Sequence, residues 1–162
     1  MILGIHHTAI SVSSLDRSLA FYCGVLGAEV CSEFEWRPGE DVIDGILGLR
    51  NSSARTAMLR FGNVHLELFE YHSPTPEPQQ PDRPVCNHGY THVALEVRDI
   101  RSEYQRLVAA GMAFHCEPQF MGDIAATYGR DPDGNVIELQ EVLNPKHSTH
   151  IMNLPAWRER QS

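Results

Sequence analysis

Residues 3–12 begin the chain with a strand pattern, in which Ile5, His7, Ala9 and Ser11 fall on one side of an extended backbone and His6, Thr8, Ile10 and Val12 on the other. A change of period follows at once. Ser13 and Ser14 offer an N-cap, and Leu15, Leu19, Tyr22 and Leu26 recur at i, i+4, i+7 and i+11 ahead of Gly27, a residue suited to a left-handed C-terminal cap; a helix with one apolar stripe is expected. Residues 28–34 return as a strand that Trp36-Arg37-Pro38-Gly39 breaks. Between Asp41 and Arg50, Gly45 and Gly48 interrupt Val42, Ile43, Ile46, Leu47 and Leu49 and oppose a stable helix, so a partly irregular segment crossing the mouth of the sheet is expected. Residues 56–61 and 64–71 then make a hairpin turning at Gly62-Asn63.

Pro74, Pro76, Pro78, Pro81 and Pro84 make residues 73–89 a linker, after which the pattern starts again. Residues 90–97 form a strand, Asp99 an N-cap, and Ile100, Tyr104, Leu107 and Val108 one helix face, with Gly111 standing where Gly27 stood. Strands over residues 113–117, 125–130 and 136–142 complete this half, the last two joined at Asp131-Pro132-Asp133-Gly134, a strongly specified turn. The resulting fold class is α+β: a β-α-β-β-β module over residues 1–72, the linker, a second such module over 90–143 and a tail over 144–162. The tail has little periodicity, and its Leu154 and Trp157 are expected to dock on the body or on a neighbour. Each half exposes a sheet face that the other half or a second subunit must cover.

Duplication selects the candidate chemistry. Each half has a histidine at the head of its first strand, His7 or His92, and a glutamate on its last, Glu67 or Glu138. Two imidazoles and two carboxylates suit a divalent transition metal and leave room for water or substrate. Glu67 follows its glycine one residue later than Glu138 does, and a one-residue slip reverses a strand's face; Leu66 and Leu68 facing the core nevertheless keep Glu67 as the ligand. His6 is expected to point away in a structural role. His65, His72, His88, His115, His147 and His150 are read as surface or loop residues.

Composition narrows the class without naming a reaction. The formal charge of −8 opposes nucleic acid or an anionic membrane as main partner. Cys23, Cys31, Cys86 and Cys116 lack ligand spacing and are expected to be reduced thiols. With no signal-peptide pattern and no apolar run near the ~20 residues that span a bilayer, a cytoplasmic protein is expected.

Ile5-His6-His7-Thr8-Ala9-Ile10, Ser18-Leu19-Ala20-Phe21-Tyr22 with Leu26-Gly27, Thr91-His92-Val93-Ala94 and the run Arg130 to Leu139 together resemble the vicinal oxygen chelate superfamily. That superfamily holds glyoxalase I, methylmalonyl-CoA epimerase, extradiol ring-cleaving dioxygenases and antibiotic-resistance proteins, and the glyoxalase and epimerase branch is most similar. The resemblance implies a cupped half-barrel of paired modules around one divalent ion (Zn, Ni, Co, Mn or Fe) held by His7, Glu67, His92 and Glu138. It further implies proton transfer next to a metal-chelated carbonyl of a small molecule, with Glu138 and Glu67 exchanging protons, Asp44 as an additional base and a homodimer as the assembly. Tyr128, Arg130, Trp36 and Phe120 are placed at the substrate by position. An Fe(II) ring-cleaving dioxygenase and a metal-free drug-binding resistance protein are the alternatives. Convincing glutathione-binding residues of the glyoxalases are not found, nor is the extended duplication of the dioxygenases.

Overall fold

The computed structural model describes Ile2 and residues 4–154, so Trp157 lies outside the described residues. The chain divides into two compact units, residues 1–82 and 83–162, and the division falls inside the proline-rich stretch. Each unit is built around its own mixed sheet, and with three α-helices among the described residues the fold class is the expected α+β.

In the first unit β1 (His7–Ser11), α1 (Leu15–Tyr22), β2 (Glu29–Trp36), α2 (Asp41–Leu47), β3 (Ser53–Phe61) and β4 (Val64–Ser73) follow in order. The strands lie β1-β4-β3-β2, with β1 parallel to β4 and the other pairs antiparallel. Ser14 caps α1 by accepting from the Arg17 amide, and Gly27 takes a left-handed φ of 81° beyond it. Leu15 and Tyr22 are buried on the sheet face that carries Ala57, Leu59, Leu66 and Leu68. The opposite face holds His7, Glu67 and the aromatic rings described below.

The segment expected to be irregular is instead the helix α2. Gly48 does not interrupt it but ends it, at φ 67°, with its amide on the Asp44 carbonyl. The Asp44 carboxylate ties the next loop to the helix, accepting from the amides of Asn51 (2.6 Å) and Ser52 (2.9 Å). Only Gly45 remains as an interior cost, and these bonds offset it.

The second unit contains β5 (His92–Glu96), α3 (Ile100–Ala109), β6 (Ala113–Phe114), β7 (Gln119–Met121), β8 (Ile124–Arg130) and β9 (Val136–Val142). Its order is β5-β9-β8-β6, with β5 parallel to β9 and β7 also paired to β8. The strand expected over residues 113–117 is therefore only the short β6, because the chain bends at 115–117 and Pro118 has no amide to give a ladder, and β7 beyond it is a strand that was not expected. A Cβ on Gly129 would lie 2.6 Å from Met112 Cε and 2.9 Å from the Phe114 ring, so glycine is what lets β6 close onto β8. Asp131 holds the β8–β9 turn through the amides of Asp133 and Asn135.

One repeated device joins sheet to helix in both units. Glu70 accepts from the Leu15 amide at the start of α1 (2.9 Å), and Glu141 from the Asp99 and Ile100 amides at the start of α3 (2.8 and 3.0 Å). Each stands three residues beyond the candidate ligand glutamate and therefore on the other face of its strand. After β9 the tail is tied back by polar contacts: Glu96 accepts from the Ile151 amide (3.0 Å) and pairs with His150 (3.6 Å). Leu154, expected to dock, is half exposed. All four cysteines are free thiols. Among the described residues no helix is long and apolar enough to cross a membrane.

Candidate metal centre

Strand register sets the two histidine–glutamate pairs in equivalent positions. His7 lies beside His65 and Ala9 beside Glu67; His92 lies beside Val136 and Ala94 beside Glu138. In each sheet the glutamate stands one same-face step past the histidine on the neighbouring strand. The spacing difference between Glu67 and Glu138 is taken up in the hairpins: β3 and β4 turn at Gly62-Asn63, whereas β8 and β9 are linked through residues 131–135. Glu67 therefore keeps the parity of Glu138.

The donor atoms of each pair face one another, with His7 Nε2 3.3 Å from Glu67 Oε2 and His92 Nε2 3.0 Å from Glu138 Oε2. Two donors each ~2.1 Å from one ion lie about 3.0 Å apart at a right angle and about 3.4 Å apart at a tetrahedral one, so both pairs fit a shared cation. Histidine Nδ1 is occupied in both: in His7 it meets His6 Nδ1 at 2.8 Å, and in His92 it meets Thr91 Oγ1 at 2.8 Å. Nε2 is thus the nitrogen left to ligate. Among the described residues no group of three or more His, Cys, Asp or Glu side chains is gathered as a metal would need; the predicted ligands stand as two pairs.

The surroundings of the pairs differ. Beside Glu67, the same face of β4 continues through Phe69 and Tyr71, and the register aligns Phe34 and Trp36 of β2 with them across Thr56 and Ala54. Phe69 and Tyr71 stack at 5.6 Å, and Trp36 packs edge-on against both. Burial first and the Glu67 charge second raise the Tyr71 phenol above its ordinary pKa. In the second unit Tyr128 lies directly across from Glu138 with its ring 5.0 Å from that of His92. Its phenol is likewise raised, by burial and then by Glu138. Both tyrosines therefore stay neutral potential hydrogen-bond donors, Tyr71 near Glu67 and Tyr128 near Glu138.

Several positional expectations are revised. Phe120 pairs with Ala125, on the face opposite Glu138, and lies under the Arg101 guanidinium at 4.6 Å; strand parity removes it from the site. Arg130 is committed internally, donating to the carbonyls of Gly134 (2.8 Å) and Arg83 (3.0 Å) and to His115 Nε2 (3.2 Å), so it braces the turn instead of waiting for a substrate. Trp36 is buried, gives its indole N–H to Ser52 Oγ at 2.9 Å, and lines a surface recess with Phe34, Arg37, Glu40 and Ile43. Asp44 is the acceptor for Ser52 Oγ as well as for two loop amides, and these bonds, the hydroxyl's first, hold its carboxyl below the ordinary range. A carboxylate so engaged is a poor base. His65, expected on the surface or in a loop, is a strand residue stacked on His6 at 5.2 Å, and His6 turns toward His7 because β1 begins only at His7. The contributions not foreseen are those of Tyr71, Thr91, Glu70 and Glu141. Tyr71 was legible as i+4 from Glu67 on an alternating strand; the others depend on where each strand begins and which helix lies behind it.

A family model described as the Glyoxalase/Bleomycin resistance protein/Dioxygenase superfamily matches residues 4–139. A 2-epi-5-epi-valiolone epimerase from Actinomyces sp. is 35% identical over 108 residues, 64% of this chain and 58% of that protein, so the match spans little more than half of that relative. A probable lactoylglutathione lyase from Synechocystis sp. is 30% identical over 142 residues, 86% of this chain and 96% of that one. Among solved structures, a glyoxalase family protein from Bacillus cereus superposes with a TM-score of 0.80 over 89% of this chain and 97% of its own; at 24% identity the likeness is one of fold.

Proposed function

The chain belongs to the glyoxalase/bleomycin resistance protein/dioxygenase superfamily, and from that premise we propose that it is a divalent-metal-dependent lyase or isomerase acting by proton transfer next to a carbonyl of a small molecule. Members of the superfamily bind divalent metals and act on small molecules, and they include non-enzymatic resistance proteins as well as lyases and epimerases. The observation that supports an enzyme is the twofold occurrence of a facing His Nε2 and Glu Oε2, at 3.3 and 3.0 Å, in register-equivalent positions.

The pairs His7–Glu67 and His92–Glu138 are the residues that would hold a divalent ion. When bound, a divalent ion supplies Lewis-acid polarisation of a substrate oxygen. The protein's own groups supply the rest. Glu138 and Glu67, one from each unit, take a proton from the carbon next to the carbonyl and return it, which is the requirement for an epimerisation or an internal rearrangement. Tyr128 and Tyr71, kept neutral, donate to substrate oxygens. Phe34 and Phe69 give the Glu67 side apolar surface beside the carboxylate. Small α-hydroxy or α-keto carbonyl compounds and acyl thioesters are the substrate class that this chemistry suits. A homodimer is the proposed assembly, and a monomeric mass in light scattering at micromolar concentration would count against it.

The test is deuterium incorporation from D₂O at the α-carbon of a panel of small hydroxyketones and acyl thioesters, followed by NMR, on protein purified without chelator. Exchange is expected to depend on a stoichiometric divalent ion and to fall by roughly 10²- to 10⁴-fold in Glu138→Gln. Protein that binds no divalent ion, or a His92→Ala variant that exchanges like the parent, overturns the proposal. Oxygen uptake with catechols after anaerobic Fe(II) loading would instead identify a ring-cleaving dioxygenase.

A further inference from the structure

Neither His6 nor Thr91 reaches a ligand carboxylate, yet each immediately precedes a ligand histidine and each contacts the same ring nitrogen of it. His6 Nδ1 lies 2.8 Å from His7 Nδ1, and Thr91 Oγ1 lies 2.8 Å from His92 Nδ1. On the other side of each ring Nε2 faces a glutamate oxygen. We propose that His6 and Thr91 are positioning residues, which accept the Nδ1 hydrogen of the following histidine and so fix the ring orientation and the tautomer that presents an Nε2 lone pair to a metal. This inference rests on the metal-binding reading given above and extends it to two residues that do not ligate.

A neutral imidazole has one N–H and one lone pair, and the nitrogen that keeps the hydrogen decides which nitrogen can ligate. A threonine hydroxyl has lone pairs to accept an Nδ1 hydrogen, and so has an imidazole Nδ1 whose own hydrogen sits on Nε2. With an ion on the Nε2 lone pair the hydrogen is left on Nδ1, and either neighbour is within reach to accept it. The same bond restricts rotation of an exposed ring about its side-chain torsions, an ordering that would otherwise be a cost of binding the ion.

How each neighbour is itself held differs between the units. The ring of His6 is stacked on His65 at 5.2 Å with an interplanar angle of 20°, and His65 is the strand partner of His7. His65, His6 and His7 thus form a line of three rings ending at the Glu67 carboxylate. In the second unit Val136 occupies the place of His65, and Tyr128 lies 5.0 Å from His92 instead. Two different residue types reach one geometry at equivalent positions, which is what a requirement on Nδ1 produces and what chance packing of exposed side chains does not.

Co(II) affinity of the full chain, measured by competition with a chromophoric chelator, tests the proposal, with the thermal midpoint of the metal-free protein measured in parallel. His6→Ala and Thr91→Val are each expected to weaken Co(II) binding by about 10- to 100-fold while leaving the metal-free midpoint unchanged. His6→Thr and Thr91→Ser, which keep an acceptor, are expected to restore parental affinity. Ring ¹⁵N–¹H spectra of the loaded parent are expected to show both histidines with Nδ1 protonated and slow to exchange, and Thr91→Val to lose that protection at His92. Should His6→Ala and Thr91→Val bind Co(II) like the parent while His92→Ala does not, the positioning role is overturned and the ligand assignment stands. Should His92→Ala itself bind like the parent, the metal-binding reading fails with it. A metal-free midpoint that drops in the alanine and valine variants and stays low in the threonine and serine ones would make these residues structural, and would also overturn the proposal.

Discussion

At the scale of single residues, a side chain's use follows from which of its polar atoms the fold has already engaged. Asp44 shows this most clearly: its carboxylate is held by Ser52 and by the Asn51 and Ser52 amides, and Ser52 in turn takes the Trp36 indole hydrogen. A base needs a free lone pair and an adequate proton affinity, and here both are diminished. Asp44→Asn is accordingly expected to leave α-proton exchange unchanged and to lower the thermal midpoint. Because the folded carboxyl titrates below its ordinary value of ~3.9, its contribution is complete above about pH 5 and disappears as the pH falls through the folded value. The midpoint gap between parent and variant should therefore be constant near neutrality and close on acidification; a gap that persists at the lowest pH reached before both unfold would contradict this assignment. The two histidine–glutamate pairs were legible in the sequence because strand parity and duplication constrain each twice. The duties of Asp44, Arg130 and Phe120 were not, since they depend on loop and cross-strand partners that no local pattern encodes.

At the scale of elements, both helices α1 and α3 begin on a glutamate borrowed from a strand distant in sequence. The arrangement satisfies N-terminal amides that would otherwise face the sheet unpaired and sets a negative charge at the positive end of each helix. Glu141 serves two such amides and Glu70 one, with Arg55 also near Glu70 at 3.8 Å. Glu141→Ala is expected to cost about 1–2 kcal/mol in urea denaturation, with Glu70→Ala at the lower end of that range. An unchanged midpoint for both variants would remove the coupling between ligand strand and helix. Sequence period located α1, α3 and the β3–β4 hairpin, whose turn residues and apolar stripes are local. It misplaced α2, because the same glycine that breaks a helix from inside ends one in the left-handed conformation. It carried β6 on to residue 117 and missed β7, because both are defined by pairing to β8, which lies beyond them in the sequence.

At the scale of the whole molecule, duplication gives two units of one design, each with one facing histidine–glutamate pair. A net charge of −8 opposes a polyanion as the main partner, and Glu67 and Glu138, one in each unit, are among the carboxylates that a bound cation would offset. If one ion takes a pair from each unit, stability and metal binding are linked through both pairs at once. Zn(II) at one hundred times its dissociation constant would add about 2.7 kcal/mol, a rise in thermal midpoint on the order of 5–10 °C for a chain of this size. His7→Ala and His92→Ala should each abolish most of that rise, although the two residues belong to different units. Ions bound separately by the two pairs would behave otherwise, since each variant would then keep the half of the effect that its intact pair supplies. Loss of most of the rise from either variant alone would establish that the repeated pair is one site given in two parts, and it would do so without reference to any substrate.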